Sequence, residues 1–239
     1  MTRIILRGCN GKMGRMVAGC VRERSDCMIV AGIDTSGAMP DAFPVFTSFD
    51  ECAVKADVLI DFSHPSALTP LLDYATKHQL PAVIATTGLS TEQISQIRAA
   101  SQQLPLFFTA NMSLGVNLLA GLAKRAASIL GGQFDIEIIE KHHNQKIDSP
   151  SGTALMLADA ISETFAEQPQ YVYDRHAVRK KRSANEIGIH AVRGGTIVGE
   201  HEIIFAGRDE IITLSHTAMS KEVFAVGSIN AALFLCAQP

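Results

Sequence analysis

Apolar and polar positions in the first half of the chain alternate between short continuous apolar runs and longer amphipathic stretches. RIILRG (residues 3–8) is an apolar run ending in glycine, and the segment after it sets Met13, Val17 and Val21 on one stripe at helical spacing. Strand, turn and helix are predicted in that order. MIVAGID (28–34) is a near-continuous apolar run closed by an acid and the turn-like TSG, the pattern of a strand buried on both faces. DVLIDF (57–62) is followed by a helix opened around Pro65, PAVIAT (81–86) by a helix after Ser90, and LFFT closes the series at Thr109. This alternation predicts a parallel sheet covered by helices on both faces, joined by right-handed crossovers.

The pattern changes after Asn111. A helix over 115–130 leads into FDIEIIEKHH, where Ile136, Ile138 and Glu140 alternate with Glu137, Ile139 and Lys141 as in a strand. A helix from Gly152 follows, then EIGIHAVR, TIVGEHEIIFAG and DEIITLSHTA, three strand-like runs with no helix between them. Consecutive strands indicate a mixed or antiparallel sheet. The last stretch, KEVFAVGSINAALFLC, is helical in pattern and is expected to return to the first domain. The fold class is thus α/β: a doubly wound domain of residues 1–112 and 218–239, plus an α+β domain of residues 113–217. The chain should cross between them near Met112 and Ala218.

Composition narrows the class. Of 239 residues, 47% are hydrophobic and 19% charged, ordinary for a globular protein, and the apolar stretches are too short for a membrane span. The N-terminus lacks the order of a signal peptide, and the five cysteines are an odd number without a CxxC pair. Neither a disulfide framework nor a zinc knuckle is suggested, and a cytoplasmic location is expected. A net charge of -3 gives no general reason to bind nucleic acid, and no membrane partner is expected. The basic run Arg179, Lys180, Lys181, Arg182 reads as a solvated loop.

GCNGKMG places Gly8, Gly11 and Gly14 between the first strand and first helix, where backbone N–H groups can approach a pyrophosphate. With the surrounding βαβ pattern, this makes the first domain a Rossmann-type dinucleotide-binding domain. Asp34 stands at the end of the second strand, about 20 residues past the last glycine, where an acid accepts hydrogen bonds from an adenosine ribose. Thr35 beside it is uncharged, whereas a 2′-phosphate would need a cation there. NADH is therefore the preferred cofactor; NADPH remains possible because Lys12 and Arg15 lie near the loop. Cys9 and Asn10 read as spacers.

EKHHNQKIDSPSGTA (140–154) concentrates proton donors, a cation and an anion-binding turn. SPSGT has the form of a capped helix start, so the N–H groups of Gly152 and Thr153 and the Thr153 hydroxyl can bind a carboxylate. Lys146 can bring a positive charge to the same pocket. It is the stronger candidate for delivering a proton, while His142 can orient the pocket or stabilise developing charge. Metal ligation by Glu140, His142 and His143 is the rival reading, but adjacent strand residues point to opposite faces. No metal is expected.

GCNGKMGR, EKHHNQKIDSPSGTA and RGGTIVGEH (193–201), with DFSHP (61–65), ATTG (85–88) and TANMSLGVN (109–117), together resemble the successive signatures of the 4-hydroxy-tetrahydrodipicolinate reductase (dihydrodipicolinate reductase) family. The resemblance covers essentially the whole chain. It implies cofactor contacts from Gly8, Cys9, Asn10, Gly11, Lys12, Met13 and Asp34, from Ala85, Thr86 and Thr87, and from Thr109, Ala110, Asn111 and Met112. It implies substrate binding by His143, Gly152 and Thr153, and acid and base roles for His142 and Lys146. The implied reaction reduces 4-hydroxy-tetrahydrodipicolinate, a small dicarboxylate, to tetrahydrodipicolinate with NAD(P)H in lysine and diaminopimelate biosynthesis. The implied assembly is a homotetramer built on the second domain, which is then the substrate-binding and oligomerisation domain. Three departures stand out: Ser149 where alanine is common, Thr35 where NADPH users often carry arginine, and an end at Pro239 where relatives usually continue with a short segment. The rivals are another two-domain NAD-dependent dehydrogenase, which has no need of HHNQKIDSPSGT, and a non-catalytic dinucleotide-sensing protein, which has no need of an acid and cation pocket.

Overall fold

The computed structural model describes residues 1–37 and 42–237. By internal contacts the chain divides into two units, Met1–Ser113 with Lys221–Pro239, and Leu114–Ser220. The first unit begins β1 (Thr2–Arg7), α1 (Lys12–Arg22), β2 (Cys27–Ile33), β3 (Val45–Phe46), β4 (Val58–Asp61) and α2 (Leu68–His78). It continues with β5 (Ala82–Ile84), α3 (Thr91–Ala100) and β6 (Leu106–Phe108). The second unit holds α4 (Leu114–Leu130), β7 (Asp135–His142), α5 (Gly152–Ser162), β8 (Gln170–Val172), β9 (Glu186–Arg193), β10 (Gly199–Ala206) and β11 (Ile211–Ala218). The chain then closes with α6 (Glu222–Cys236) in the first unit.

All six strands of the first unit are parallel, in the order β3-β2-β1-β4-β5-β6. Ile4, Ile5 and Leu6 of β1 are all fully buried, which explains the unbroken apolar run. Alternate side chains leave opposite faces of a strand. Ile4 and Leu6 accordingly pack with Val17 and Val21 of α1 and Ile229 and Ala232 of α6. Ile5 packs on the other side with Leu71, Leu72 and Ala75 of α2 and Ile97 of α3. Each valine, leucine or isoleucine among them contributes about 1.5–3 kcal/mol by burial. Local signals set the ends: Ser90 and Gln93 form a reciprocal capping box on α3, and α2 stops at a left-handed Gln79. Pro65 opens a short 3₁₀ turn, with α2 starting behind it.

The second unit is a mixed sheet in the order β11-β10-β7-β9-β8. β7, β8 and β9 run parallel, while β10 is antiparallel to both its neighbours. One face carries Ile136 and Ile138 of β7, Ile187 and Ile189 of β9, and Ile203 and Phe205 of β10 against Leu119 of α4 and Leu157 and Ile161 of α5. Two sequence expectations change here. Ala218 lies within β11, paired with Gly199, and the crossing between units falls later, after Ser220. Within the basic run Arg179, Lys180 and Lys181 are exposed, but Arg182 folds back and donates to Glu137 (3.0 Å), Asp135 (2.8 Å) and the Ile136 carbonyl (3.1 Å). Among the described residues no helix is long and apolar enough to cross a membrane.

Candidate active site

In the first unit the glycine loop joins β1 to α1. Gly8 has φ +73°, and a β-carbon on it would stand 2.3 Å from the Phe62 carbonyl oxygen; one on Gly14 would stand 2.1 Å from that of Gly8. The turn is therefore closed tightly against the loop after β4 and against the helix start. Gly11 caps α1 without a side-chain acceptor, so no cap side chain takes the first-turn N–H groups of Lys12 and Met13, which can receive an anion. Cys9 is buried in the core, and its sulfur packs against Gly32 of β2.

Asp34 follows β2 directly. Its Oδ2 accepts from the Asn10 N–H at 3.0 Å, and its Oδ1 accepts from the Ser36 N–H at 3.0 Å and the Ser36 hydroxyl at 2.6 Å. The Asn10 side chain in turn donates to Ser36 Oγ (2.9 Å) and the Gly37 carbonyl (2.6 Å). Asn10 is thus a brace between the glycine loop and the β2 turn, where the sequence suggested a spacer. Burial raises the Asp34 pKa, but the hydrogen bonds from Ser36 and Asn10 and the charge of Arg15 outweigh it and hold the carboxyl below its usual range. A cleft of about 1000 Å³ is lined here by Gly8, Gly11, Asp34, Thr35, Phe62 and His64, among others. The remaining candidate loops follow β5 and β6. Ala85 and Thr86 are buried and Thr87 is exposed. In the second loop Ala110 is exposed, Met112 is buried, and the Thr109 hydroxyl bonds to the Asn111 carbonyl at 3.2 Å.

Asp61, at the end of β4, was not singled out by the sequence. It is 1% exposed and accepts from the Ser63 hydroxyl and the Thr86 hydroxyl, both at 2.6 Å. It therefore ties the loop after β4 to the loop after β5. An acid closing a fully apolar run was the available signal.

In the second unit the candidate acid and base side chains lie at one end of the helix-covered sheet face. The period of two that carries Ile136 and Ile138 inward also carries Glu140 and His142 along the same face. His201 of β10 pairs in register with Glu140, and Arg193 of β9 with His142. Glu140 is fully buried, and His142 is 9% exposed. His142 Nδ1 lies 2.6 Å from Glu140 Oε2, and Arg193 grips both oxygens of Glu140 at 2.7 Å. Burial pushes Glu140 up, but the hydrogen bonds from Arg193, His142 and Ser151 overcome it and keep it below the usual carboxylate range. Burial lowers the His142 pKa, opposed by Glu140 and reinforced by Lys146 and Arg193.

Lys146 sits in the loop between β7 and α5, half-buried, with its ammonium 2.8 Å from Asp148. His143 is half-buried at the start of that loop, and its carbonyl accepts from the Lys146 N–H at 3.2 Å. The loop ends at a cis Ser149–Pro150 bond, and Ser151 caps α5 by accepting from the Ala154 N–H at 3.1 Å. Gly152 opens the helix with Thr153 beside it, so their N–H groups point out of its N-terminus. His142, Lys146, Gly152 and Thr153 thus belong to one end of the second unit. A cation, an imidazole held by a carboxylate and a helix N-terminus can together bind an organic anion and move a proton. Sequence reasoning treated Glu140 only as a rejected metal ligand and Arg193 only as part of a motif. An acid continuing the apolar stripe of β7 was the missed signal.

A glycine loop on a parallel, doubly wound sheet, in a chain whose second unit carries acid and base groups, is the arrangement of an oxidoreductase of the dinucleotide-binding class. Residues 2–112 match the family described as "Dihydrodipicolinate reductase, N-terminus", and residues 115–239 match "Dihydrodipicolinate reductase, C-terminus". The chain belongs to the dihydrodipicolinate reductase family. It is 53% identical over 238 residues to the 4-hydroxy-tetrahydrodipicolinate reductase of Caldanaerobacter subterraneus subsp. tengcongensis, covering 100% of this chain and 94% of that protein. It is 50% identical over 239 residues to the enzyme of that name from Clostridium tetani, covering 100% and 93%. Among solved structures it resembles the dipicolinate-bound dihydrodipicolinate reductase of Paenisporosarcina sp. TG-14, with a TM-score of 0.79, 29% identity, and 98% and 96% of the two chains covered.

Proposed function

We propose that this chain reduces 4-hydroxy-tetrahydrodipicolinate to tetrahydrodipicolinate in the biosynthesis of diaminopimelate and lysine, using a nicotinamide dinucleotide. The observation that carries the reading is the grouping of His142, Lys146 and the α5 N-terminus in a chain 53% identical to a reductase of that name. The first unit suits the cofactor: the glycine turn at the start of α1 suits a diphosphate at residues 8–13, and anionic Asp34 suits a ribose. Residues 85–87 and 109–112 are the further candidate contacts. The bound cofactor supplies a hydride. NADH is the preferred form because Thr35, next to Asp34, offers a 2′-phosphate no cation; NADPH is the second choice, with Arg15 the cation whose charge reaches Asp34.

Gly152, Thr153 and His143 bind and orient the substrate, whose dicarboxylate class is supported by the dipicolinate bound to the Paenisporosarcina relative. Lys146 pairs with the bound anion and delivers a proton to the electron density left on the reduced ring. His142 orients the same end of the pocket. The protein acts in the cytoplasm, in keeping with its five free cysteines. It assembles as a homotetramer through the sheet face of the second unit opposite α4 and α5, where Ile139, Ile204 and Ile211 are incompletely buried. Oxidation of NADH and NADPH followed with freshly generated substrate tests the reading. Turnover with a higher kcat/KM for NADH is expected, and no turnover with either cofactor would overturn it.

A further inference from the structure

Glu140 accepts four hydrogen bonds: from Ser151 N–H (2.9 Å) and Arg193 Nη2 (2.7 Å) on Oε1, and from His142 Nδ1 (2.6 Å) and Arg193 Nη1 (2.7 Å) on Oε2. An ionised carboxylate offers about four lone-pair sites, so this one is saturated. Arg193 and the Ser151 amide are donors only. With a bidentate guanidinium holding the carboxylate ionised, the short contact to His142 places the ring proton on Nδ1. The lone pair of the neutral ring is then on Nε2. That atom faces Gly199, 3.1 Å from where a β-carbon would stand, so no side chain at position 199 fills the space before it.

The same arginine reaches the lysine. Arg193 Nη2 also donates to the Asp148 carbonyl at 2.8 Å, and the Asp148 carboxylate pairs with Lys146. Ser151, which Glu140 holds by its N–H, caps α5 and bonds through its hydroxyl to His201 Nε2 at 3.0 Å. One buried carboxylate therefore links the ends of β7 and β9, the Lys146 loop and the start of α5. These segments meet through strand pairing, which sets His142 opposite Arg193 and His201 opposite Glu140.

We propose that Glu140 and Arg193 are positioning residues that fix His142 as the Nδ1–H tautomer, making Nε2 a proton acceptor and leaving proton donation to the Lys146 ammonium. This rests on the reading of His142 and Lys146 as the groups that meet substrate. The pair divides the labour. In the loss of water Nε2 takes the proton from the ring carbon next to the one bearing the hydroxyl, the C–O bond breaks, and the imidazolium, stabilised by Glu140, returns that proton to the departing hydroxide. After hydride transfer the lysine ammonium gives its proton to the reduced ring. The charged and titratable groups facing the imidazole are Glu140 on its own strand, Arg193 on β9, Lys146 in the loop and His201 on β10. Only Glu140 among them favours the imidazolium.

The wild-type protein tests this without any substitution. In long-range proton–nitrogen spectra of ¹⁵N-histidine-labelled enzyme, His142, assigned by its loss in His142→Gln, should show a protonated Nδ1 and a bare Nε2 at neutral pH; the reverse pattern overturns the proposal. Glu140→Gln keeps one acceptor oxygen and turns the other into an NH₂ donor. It should lower kcat between about 10- and 10⁴-fold, leave NADH affinity unchanged and move the acidic limb of kcat/KM to lower pH. Arg193→Lys keeps the charge but loses the fork, and should lower kcat in the same direction. If His142→Gln itself retains wild-type turnover, the reading of the site fails. If His142→Gln is inactive while Glu140→Gln and Arg193→Lys keep the wild-type kcat and pH profile, the positioning role alone is wrong.

Discussion

Removing the lysine ammonium separates the binding and proton-delivery roles assigned to Lys146. Its only ionic partner within the second unit is Asp148, at 2.8 Å, and the Asp148 side chain is 60% exposed. Such a pair contributes at most about 1 kcal/mol to stability, so Lys146→Ala should fold and unfold much like the wild type. Its effect should fall on turnover. A positioned proton donor is worth about 10²–10⁴-fold, which at about 1.4 kcal/mol per decade raises the barrier by about 3–6 kcal/mol. Lys146→Arg sharpens the test, because guanidinium keeps the charge but does not release its proton near neutral pH. Its substrate KM should stay closer to wild type than that of Lys146→Ala, with kcat reduced in both. Steady-state rates with freshly generated substrate, thermal unfolding and NADH binding by fluorescence separate the possibilities. Near-normal kcat in Lys146→Arg would show that charge alone suffices and refute proton delivery. Weakened NADH binding would assign the lysine to the nucleotide site instead.

Three further outcomes are expected. Thr35→Arg should raise kcat/KM for NADPH about tenfold by giving the 2′-phosphate a charged partner; unchanged cofactor ratios in steady-state assays would count against the placement of Asp34 and Thr35. Gly152→Ala meets no atom within 4 Å and should fold normally, yet it narrows the α5 N-terminus, so it and His143→Ala should raise substrate KM about tenfold with NADH affinity intact; an unchanged KM in both places the carboxylate elsewhere. His201 is pushed down to about 4, first by burial and then by neighbouring His142, against 6.5 in the unfolded chain. Between these values the unfolded state binds more protons, so the contribution is complete above pH 6.5 and lost as pH falls toward 4, roughly 2 kcal/mol by pH 5. Urea unfolding at pH 7.5 and 5 should show this drop in the wild type and a smaller one in His201→Gln; equal drops refute the assignment.

Much of the architecture was legible because burial leaves a periodic trace. β1 and β4 read as unbroken apolar runs because helices cover both faces of their sheet, and β7 reads as an alternation because α4 and α5 cover only one. The glycine turn was legible for a related reason: Gly8 and Gly14 stand where a β-carbon would strike backbone. β3 and β8, of two and three residues, left no such trace. They are strands because β2 and β9 offer them backbone partners, which side-chain patterns do not record.

The candidate site divides the same way. The types and spacing of His142, His143, Lys146, Gly152 and Thr153 were visible because they lie within twelve residues of one another on one continuous segment. Their supports were not. Arg193 stands 53 positions from Glu140 and His201 stands 50 from Ser151, and only the pairing of β7 with β9 and β10 sets them side by side. Asn10 reaches Asp34 in the same non-local way, and Asp61 reaches Thr86 across parallel strands. A sequence determines which chemical groups are available and the local turns that carry them. Which lone pair of Glu140 meets which proton is a property of strand register and burial, and those exist only once the sheet has formed.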